Sequence, residues 1–262
     1  MYPTIEGYPS IWILWGLAIV GGMVGSVAMA RRDGFPFGVS LGLILLIAFT
    51  FLLGAKIHWW IMHSEALAGS DLAGALVRGF HFPGGLVLTA LIVPIVFRLC
   101  GVSPLRFFDA IAPVAGLAIA VARLGCFLSG CCFGRVCSLP WGLRFPPGSR
   151  AYQYHLITYQ LPKDQLATLP LHPTQLYFML AGLGMAGVLF WMRTRKRFDG
   201  ELALCFAAMW GWSEVVVEAF RDHSVLGGAP YLWFTGIAVA LASTVALAVV
   251  AMAGAASRSA GS

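Results

Sequence analysis

Four charged side chains, Arg123, Glu214, Glu218 and Arg221, fall inside long apolar stretches of this 262-residue sequence. Holding such a group at membrane depth costs about 3 kcal/mol, so each is a candidate for function. Glu214, Glu218 and Arg221 follow an i, i+4, i+7 spacing that lines them along one helix face, and Arg123 on a separate stretch is their nearest partner by type. Two readings are open. The charges form an interior that binds an anionic ligand, or Arg123 pairs with Glu214 or Glu218 as an architectural tie between two helices.

Arg123 also opens a cysteine cluster. Cys126, Cys131, Cys132 and Cys137 lie within twelve residues, out of six cysteines in the chain. A disulfide between Cys137 and a neighbour suits an oxidising compartment. A metal site completed by His58, His81 or His172 is the second reading, but the spacing matches no standard zinc pattern, and no metal is expected. The third is a nucleophilic thiol at Cys126 or Cys131, with Cys132 lining the same site and Arg123 one turn from Cys126 favouring the thiolate. Cys100 and Cys205 stand alone in apolar surroundings and read as small core residues.

Two histidine motifs complete the polar inventory. In His81-Phe-Pro-Gly-Gly-Leu86, the Gly84-Gly85 pair enters a helix with backbone N–H groups free to hold an anion and His81 near enough to act as base or donor; the pair is equally explained by a tight entry turn. In His172-Pro-Thr-Gln-Leu-Tyr177, proline opens a helix, and the spacing gives His172 and Gln175 a shared face while Tyr177 turns aside. Thr174 and Tyr177 fit capping and interfacial roles.

The elements that position these groups follow from composition. Hydrophobic residues make up 59% of the chain and charged ones 11%, with a mean hydropathy of +0.83, which excludes an ordinary soluble domain as well as disordered and disulfide-scaffold classes. The net charge of +6 is explained by orientation in a bilayer, and nucleic acid is not an expected partner. Spans of roughly 20 apolar residues are predicted at Ile11 to Ala30, Gly38 to Ile57, Gly84 to Val102, Phe108 to Ser129, Thr174 to Met192, Glu201 to Phe220 and Pro230 to Ala255. The predicted architecture is an all-α integral membrane protein, a seven-transmembrane-helix bundle forming one membrane domain over 1–262. Segment 58–83 is read as interfacial or re-entrant, and the proline-rich 131–172 as an extracytoplasmic cap. Arg31, Arg32, Arg98, Arg106, Arg193, Arg195, Lys196, Arg197 and Arg258 fall on one side in short loops, which places the N-terminus outside and the C-terminus in the cytoplasm. The first ten residues lack Lys and Arg, so a cleavable signal peptide is not expected. Trp12, Trp15, Trp59, Trp60, Trp141, Trp191, Tyr231 and Trp233 sit near span ends and read as an interfacial belt without a functional role.

Together these residues resemble the prolipoprotein diacylglyceryl transferase family. The anchors, in order, are Trp15-Gly-Leu, Gly54-Ala-Lys56, Gly84-Gly-Leu86, Arg123-Leu-Gly with Gly130 and Gly134-Arg135, His172-Pro-Thr-Gln-Leu-Tyr177, and Glu218-Ala-Phe-Arg221. The chain departs from the family pattern at Trp15, Pro83, Cys126, Ser129, Cys131 and Glu214, where the family carries Tyr, His, Asn, Asn, Glu and Arg. The resemblance implies a bacterial cytoplasmic-membrane enzyme that moves a diacylglyceryl group from phosphatidylglycerol to a thiol acceptor, such as a lipobox-bearing protein, without a cofactor. Arg123, Arg221 and Lys56, with Gly84 and Gly85, would bind the lipid phosphate. His81 or His172 would serve as base, Glu218 would belong to the catalytic set, and Gln175, Tyr177, Glu214 and Cys132 would line the site. Cys126 or Cys131 could accept the lipid first and pass it on. The alternative is a diverged member that binds lipid, or acts on a membrane partner through thiol and disulfide chemistry. A transporter would call for an internal repeat or paired broken helices, and the sequence has neither.

Overall fold

Apolar runs broken by Arg31-Arg32-Asp33-Gly34, Gly101-Val-Ser-Pro104 and Arg193-Thr-Arg-Lys196 fold as helices that stop at those signals. The computed structural model describes residues 4–5, 8–64, 79–159, 166–222 and 231–259. A short antiparallel pair, β1 (Thr4–Ile5) and β2 (Tyr8–Pro9), precedes the helices α1 (Ser10–Arg32), α2 (Phe37–Met62), α3 (Phe82–Leu99), α4 (Pro104–Ser129), α5 (Arg150–Thr158), α6 (Thr174–Met192), α7 (Glu201–Glu218) and α8 (Tyr231–Ser259). The protein is an all-α membrane protein: α1, α2, α3, α4, α6 and α8 contain six segments that are long and apolar enough to cross a bilayer. Their outward faces are apolar, with Val24, Phe49, Leu91, Leu180 and Val245 all exposed, the reverse of a soluble surface. Helix α7 has 18 residues and carries Glu201, Glu214 and Glu218.

Local chemistry sets the helix ends. Ser103 Oγ accepts from the Arg106 N–H at 3.4 Å, with Pro104 in the first turn, a combination that satisfies one end-group donor and removes another. Asp109, 1% exposed, accepts from the N–H groups of Gly200 at 2.8 Å and Ala203 at 2.9 Å. A carboxylate of α4 thus caps the start of α7, where the helix dipole favours negative charge. Lys196 reaches the same carboxylate at 3.2 Å, Arg193 pairs with Asp33, and Arg106 donates to the Asp33 carbonyl at 2.7 Å. Arg106, Arg193 and Lys196, three of the basic residues assigned to one side by sequence, therefore converge at one end of the bundle.

Helix α4 packs along α1 and α6, α2 along α3, and α7 along α8. Where α4 crosses α6, a Cβ on Gly116 would lie 2.9 Å from the Gly182 carbonyl, and one on Gly182 would lie 2.8 Å from the Gly116 carbonyl. Backbones this close are the small-residue contact that joins helices in lipid. Because α4 runs the depth of the bundle, its C-terminal end carries Arg123 and Cys126 away from the basic end.

Segment 131–172 is ordered where it is described. Gly134 bridges Arg221, while Val136 and Leu143 both bridge Leu171, over a core of Phe133, Phe145, Ala151 and Leu171. Helix α5 starts at a cap in which Ser149 Oγ accepts from the Tyr152 N–H at 3.2 Å. The second apolar helix differs from its predicted bounds: α2 continues through His58 to Met62, where an interfacial segment was expected, because His58-Trp-Trp-Ile-Met62 keeps the helix apolar past Lys56. Residues 65–78 of that expected segment lie outside the described residues. Cys100, expected in the core, is exposed at the end of α3.

Gly182→Val should overpack the α4–α6 crossing and cost about 1–3 kcal/mol, read as an earlier unfolding midpoint in detergent. Gly187→Ala, whose added Cβ would meet nothing within 4 Å, should leave that midpoint unchanged.

Candidate functional site

The end of α4 turns through Gly130, whose φ of 66° is the left-handed cap that glycine adopts at least cost. Its N–H bonds back to Phe127 at 3.0 Å and that of Cys131 to the Cys126 carbonyl at 3.1 Å. The loop is then clamped from α6: Gln175 Nε2 donates to the Cys131 carbonyl and Thr174 Oγ1 to the Cys132 carbonyl, each at 2.6 Å. Thr174 is therefore a clamp rather than a simple cap. Gln175 faces the cysteine loop and does not share a face with His172. His172 Nδ1 instead lies 3.1 Å from the Tyr177 hydroxyl, which accepts from Trp141 Nε1 at 2.9 Å. Tyr177 thus turns toward His172, and Trp141 belongs to the site rather than to the belt.

The clamped loop brings three thiols together. The sulfurs of Cys126, Cys131 and Cys132 lie within 4.8 Å of one another, and Ser129 Oγ donates to Cys131 Sγ at 3.2 Å. Cys137 packs elsewhere, with its sulfur against Gly142, and all six cysteines are free thiols, so the disulfide that was one of the three readings is not formed. Cys126 and Cys131 are buried, whereas Cys132 keeps an exposed surface. Hydrogen bonds from Cys126 and Cys131, with Arg123 and Arg221 adding positive field, push the Cys132 thiol well below its ordinary range. Hydrogen bonding with Cys126 and then Cys132 pushes Cys131 far upward. Of the three thiols, Cys132 is the one with an exposed surface, whereas the sequence points to Cys126 or Cys131 as the candidate nucleophile.

The charged stripe is present with different partners. Arg221 Nη1 lies 2.8 Å from Glu218 Oε2 and 4.0 Å from Glu214 Oε1, with all three side chains at most 5% exposed. Arg221 Nε and Nη2 are buried and have no hydrogen-bond partner among the described residues. Arg123 stacks its guanidinium over Phe178 at 4.3 Å and makes no ion pair among the described residues. The inter-helix tie weighed between Arg123 and a glutamate is not formed among the described residues; Arg221 pairs instead with the glutamates of its own helix. Backbone pairing fixes that arginine: Arg135 N–H donates to the Phe220 carbonyl and Gly134 N–H to the His172 carbonyl, each at 2.9 Å. The extended stretch through Gly134 and Arg135 thereby ties the end of α7 to the start of α6.

A groove of about 590 Å³ runs between α6 and α7, lined by Leu139, Trp141, His172, Tyr177, Val217 and Phe220 among others. It is a mostly apolar slot that includes His172 and, from the end of α7, Phe220, the residue before Arg221. Burial, with Arg135 adding to it, holds His172 below the ordinary value of 6.5, so its imidazole is neutral at neutral pH.

Lys56 and His81 gather elsewhere. Lys56 Nζ lies 4.7 Å over Phe80 and 5.4 Å over Trp59, beside a histidine group in which His81 contacts His58 at 5.1 Å and His63 at 5.2 Å between ring centroids. Burial, then His58 and His63, lowers the His81 value. Gly84 and Gly85 are used for packing: their added Cβ atoms would fall 2.4 Å from the Gly54 carbonyl and 2.7 Å from that of Phe51, and the Gly84 N–H already bonds His81 at 3.2 Å. These glycines serve a helix crossing in place of the expected anion cradle. The sequence reading also passed over His155, fully buried with both ring nitrogens unpartnered among the described residues and set against Tyr159 at 4.6 Å. Asp222 raises its value against the stronger lowering by burial. An aromatic-rich helix inside the cap was the available signal.

An all-α membrane bundle with a half-matched guanidinium group beside a clamped loop is the class these observations define. The profile of the prolipoprotein diacylglyceryl transferase family matches residues 7–256. Proteins named phosphatidylglycerol–prolipoprotein diacylglyceryl transferase are similar to it: one from Bordetella avium is 27% identical over 213 residues, covering 81% of this chain and 72% of that protein. One from Clostridium tetani is 24% identical, covering 81% of this chain and 85% of that protein; one from Ralstonia pickettii is 30% identical, covering 72% and 65%. The chain belongs to the prolipoprotein diacylglyceryl transferase family, a family of membrane transferases.

Thr174→Val should leave the Cys132 carbonyl unpaired, a loss of about 1–3 kcal/mol, and loosen the loop. In wild type a short maleimide pulse is expected to spare Cys131; in the variant Cys131 should label in the same pulse, read by peptide mass.

Proposed function

We propose that this protein is a phospholipid-dependent transferase that moves a diacylglyceryl group from phosphatidylglycerol to a thiol acceptor, with a lipobox-bearing protein the acceptor class that its relatives' names supply. The observation that carries the reading is the side of Arg221 that has no partner among the described residues, with Arg123, which makes no ion pair among them, acting on the same Glu214. Buried N–H donors without acceptors are costly, and a phosphate at that point would accept from both guanidinium groups. Glu218 holds Arg221 by one nitrogen and leaves Nε and Nη2 for the ligand, while Glu214 tempers the local positive charge. The groove between α6 and α7 suits the acyl chains, and Gln175 keeps the cysteine loop from closing over the head group.

In this reaction the acceptor sulfur attacks the glyceryl carbon, an S–C bond forms, and the C–O bond to phosphate breaks with its electron pair leaving on glycerol phosphate. Negative charge grows on the departing phosphate, where fixed guanidinium groups stabilise it most. His172, neutral and held by Tyr177 and Trp141, accepts the acceptor's thiol proton. His81 and Lys56 lie in their own aromatic group and have no part in this step. The same reading takes 1–262 as one membrane domain of seven spans in the bacterial cytoplasmic membrane, with the N-terminus outside, the C-terminus inside, 58–83 at the interface and 131–172 as the outer cap. Helix α7 is the seventh span, since 18 residues at about 1.5 Å per residue reach roughly 27 Å and it packs along α8. A second reading, a diverged member acting through thiol and disulfide exchange, draws on the exposed, acidic Cys132.

Release of glycerol phosphate from phosphatidylglycerol with a lipobox peptide present separates the two. Arg123→Ala should lower turnover by about 10²–10³-fold; turnover equal to wild type would remove the phosphate clamp. Intact mass after turnover should show no lipid on Cys126, Cys131 or Cys132. The pH dependence follows from His172. Its folded value is lowered, so the neutral form is retained above 6.5, and both its stabilising effect and its activity as base disappear as pH falls through the folded value below that point. The acid limb of kcat/KM should therefore have its midpoint below 6.5 and vanish in His172→Gln.

A further inference from the structure

The three converging thiols are not used by the displacement described above. Their sulfurs lie within 4.8 Å of one another, so the centre of that triangle is at most about 2.8 Å from each sulfur, against the roughly 2.3 Å of a zinc–thiolate bond. Small side-chain rotations close the difference. The frame that holds them is fixed from every side: Cys126 by the last turn of α4, the Cys131 and Cys132 carbonyls by Gln175 and Thr174, and Cys131 Sγ by the Ser129 hydroxyl. A donor aimed at a ligand sulfur is the supporting contact that tunes metal–thiolate centres.

Cys132 has a φ of 55°, the one non-glycine residue with positive φ among the described residues. That conformation costs of order 1–3 kcal/mol and persists where surroundings enforce it. A glycine would fit the backbone at less cost, so the thiol itself is what the position retains. The local charge balance points the same way. Three thiolates and a divalent cation carry one net negative charge, and two guanidinium groups are close in the fold: Arg123 lies one helical turn from Cys126, and Arg221 bridges Gly134, two residues after Cys132.

We propose that Cys126, Cys131 and Cys132 form a three-thiolate site for a soft d10 cation of the zinc class. Three protein ligands leave a fourth position on the exposed side of Cys132 for an exchangeable ligand, water or a thiol, the pattern of an open rather than a closed zinc site. Binding replaces S–H bonds by metal–sulfur bonds and releases the thiol protons to solvent. Spacing missed the site because two of its ligands are adjacent in sequence and no histidine takes part.

The test uses the full chain, purified reduced in detergent and dialysed against Zn2+ or Co2+. One equivalent of zinc should remain by elemental analysis, and Co2+ should give a thiolate charge-transfer band. Cys126→Ser, Cys131→Ser and Cys132→Ser should each weaken metal retention about tenfold or more, while Cys100→Ser and Cys205→Ser keep the equivalent. Zn2+ should also slow maleimide labelling of Cys132 in wild type, a readout that needs no variant to fold. Full thiol titration with no retained metal, zinc retention unchanged in Cys132→Ser, or two fewer titratable thiols in the trio as isolated, the mark of a disulfide, would each overturn the proposal. Glycerol phosphate release from the same samples keeps the readings apart: metal without turnover sinks the transferase alone, and turnover without metal sinks this site alone.

Discussion

A guanidinium group inside an apolar bundle must be matched by negative charge, and that requirement organises the end of this protein that holds Arg221. Arg221 is matched on one side only. Glu218 takes Nη1 at 2.8 Å, Glu214 stands off at 4.0 Å, and the remaining nitrogens face the interior without a partner among the described residues. An ion pair built purely for architecture would satisfy both edges of the guanidinium, since each orphaned donor subtracts from the pair's worth. The half-satisfied arrangement fits a group that shares its charge with a ligand.

Holding that arginine in place takes three separated parts of the chain. The extended stretch through Gly134 and Arg135 bonds to His172 on one side and to Phe220 on the other, so the loop after α4, the start of α6 and the end of α7 cannot move independently. At the far end, Asp109 ties the start of α7 to α4. Helix α7 is thus pinned at both ends, and its charged face is presented to Arg123 at a fixed depth. Side chains held this firmly suit electrostatic catalysis, in which donors need no reorganisation as charge develops.

Much of this was legible in the sequence. Apolar windows gave the helices because lipid exposure demands long uninterrupted hydrophobic runs, and the isolated charges announced themselves by their cost. The pairings were harder. Nothing in the i, i+4, i+7 pattern says that Arg221 bonds its own helix's glutamate while Arg123 rests on Phe178, because rotamers and helix rotation decide between near-equivalent partners. The roles of Thr174, Gln175 and Trp141 depend on contacts across more than thirty residues of chain, which local spacing does not encode. Gly84 and Gly85 illustrate the converse: an anion-binding signature by composition turned out to be the place where α2 and α3 touch, since a missing Cβ serves close packing as well as it serves a ligand.

Arg123 and Arg221 are proposed to grip an anionic lipid head group together, and the lipid that stays with the protein measures this most directly. Native mass spectrometry of protein extracted from mixed bilayers should find phosphatidylglycerol retained in preference to phosphatidylethanolamine, with the preference abolished in Arg123→Ala. Equal retention of the two lipids, or a preference that survives the substitution, would contradict the account.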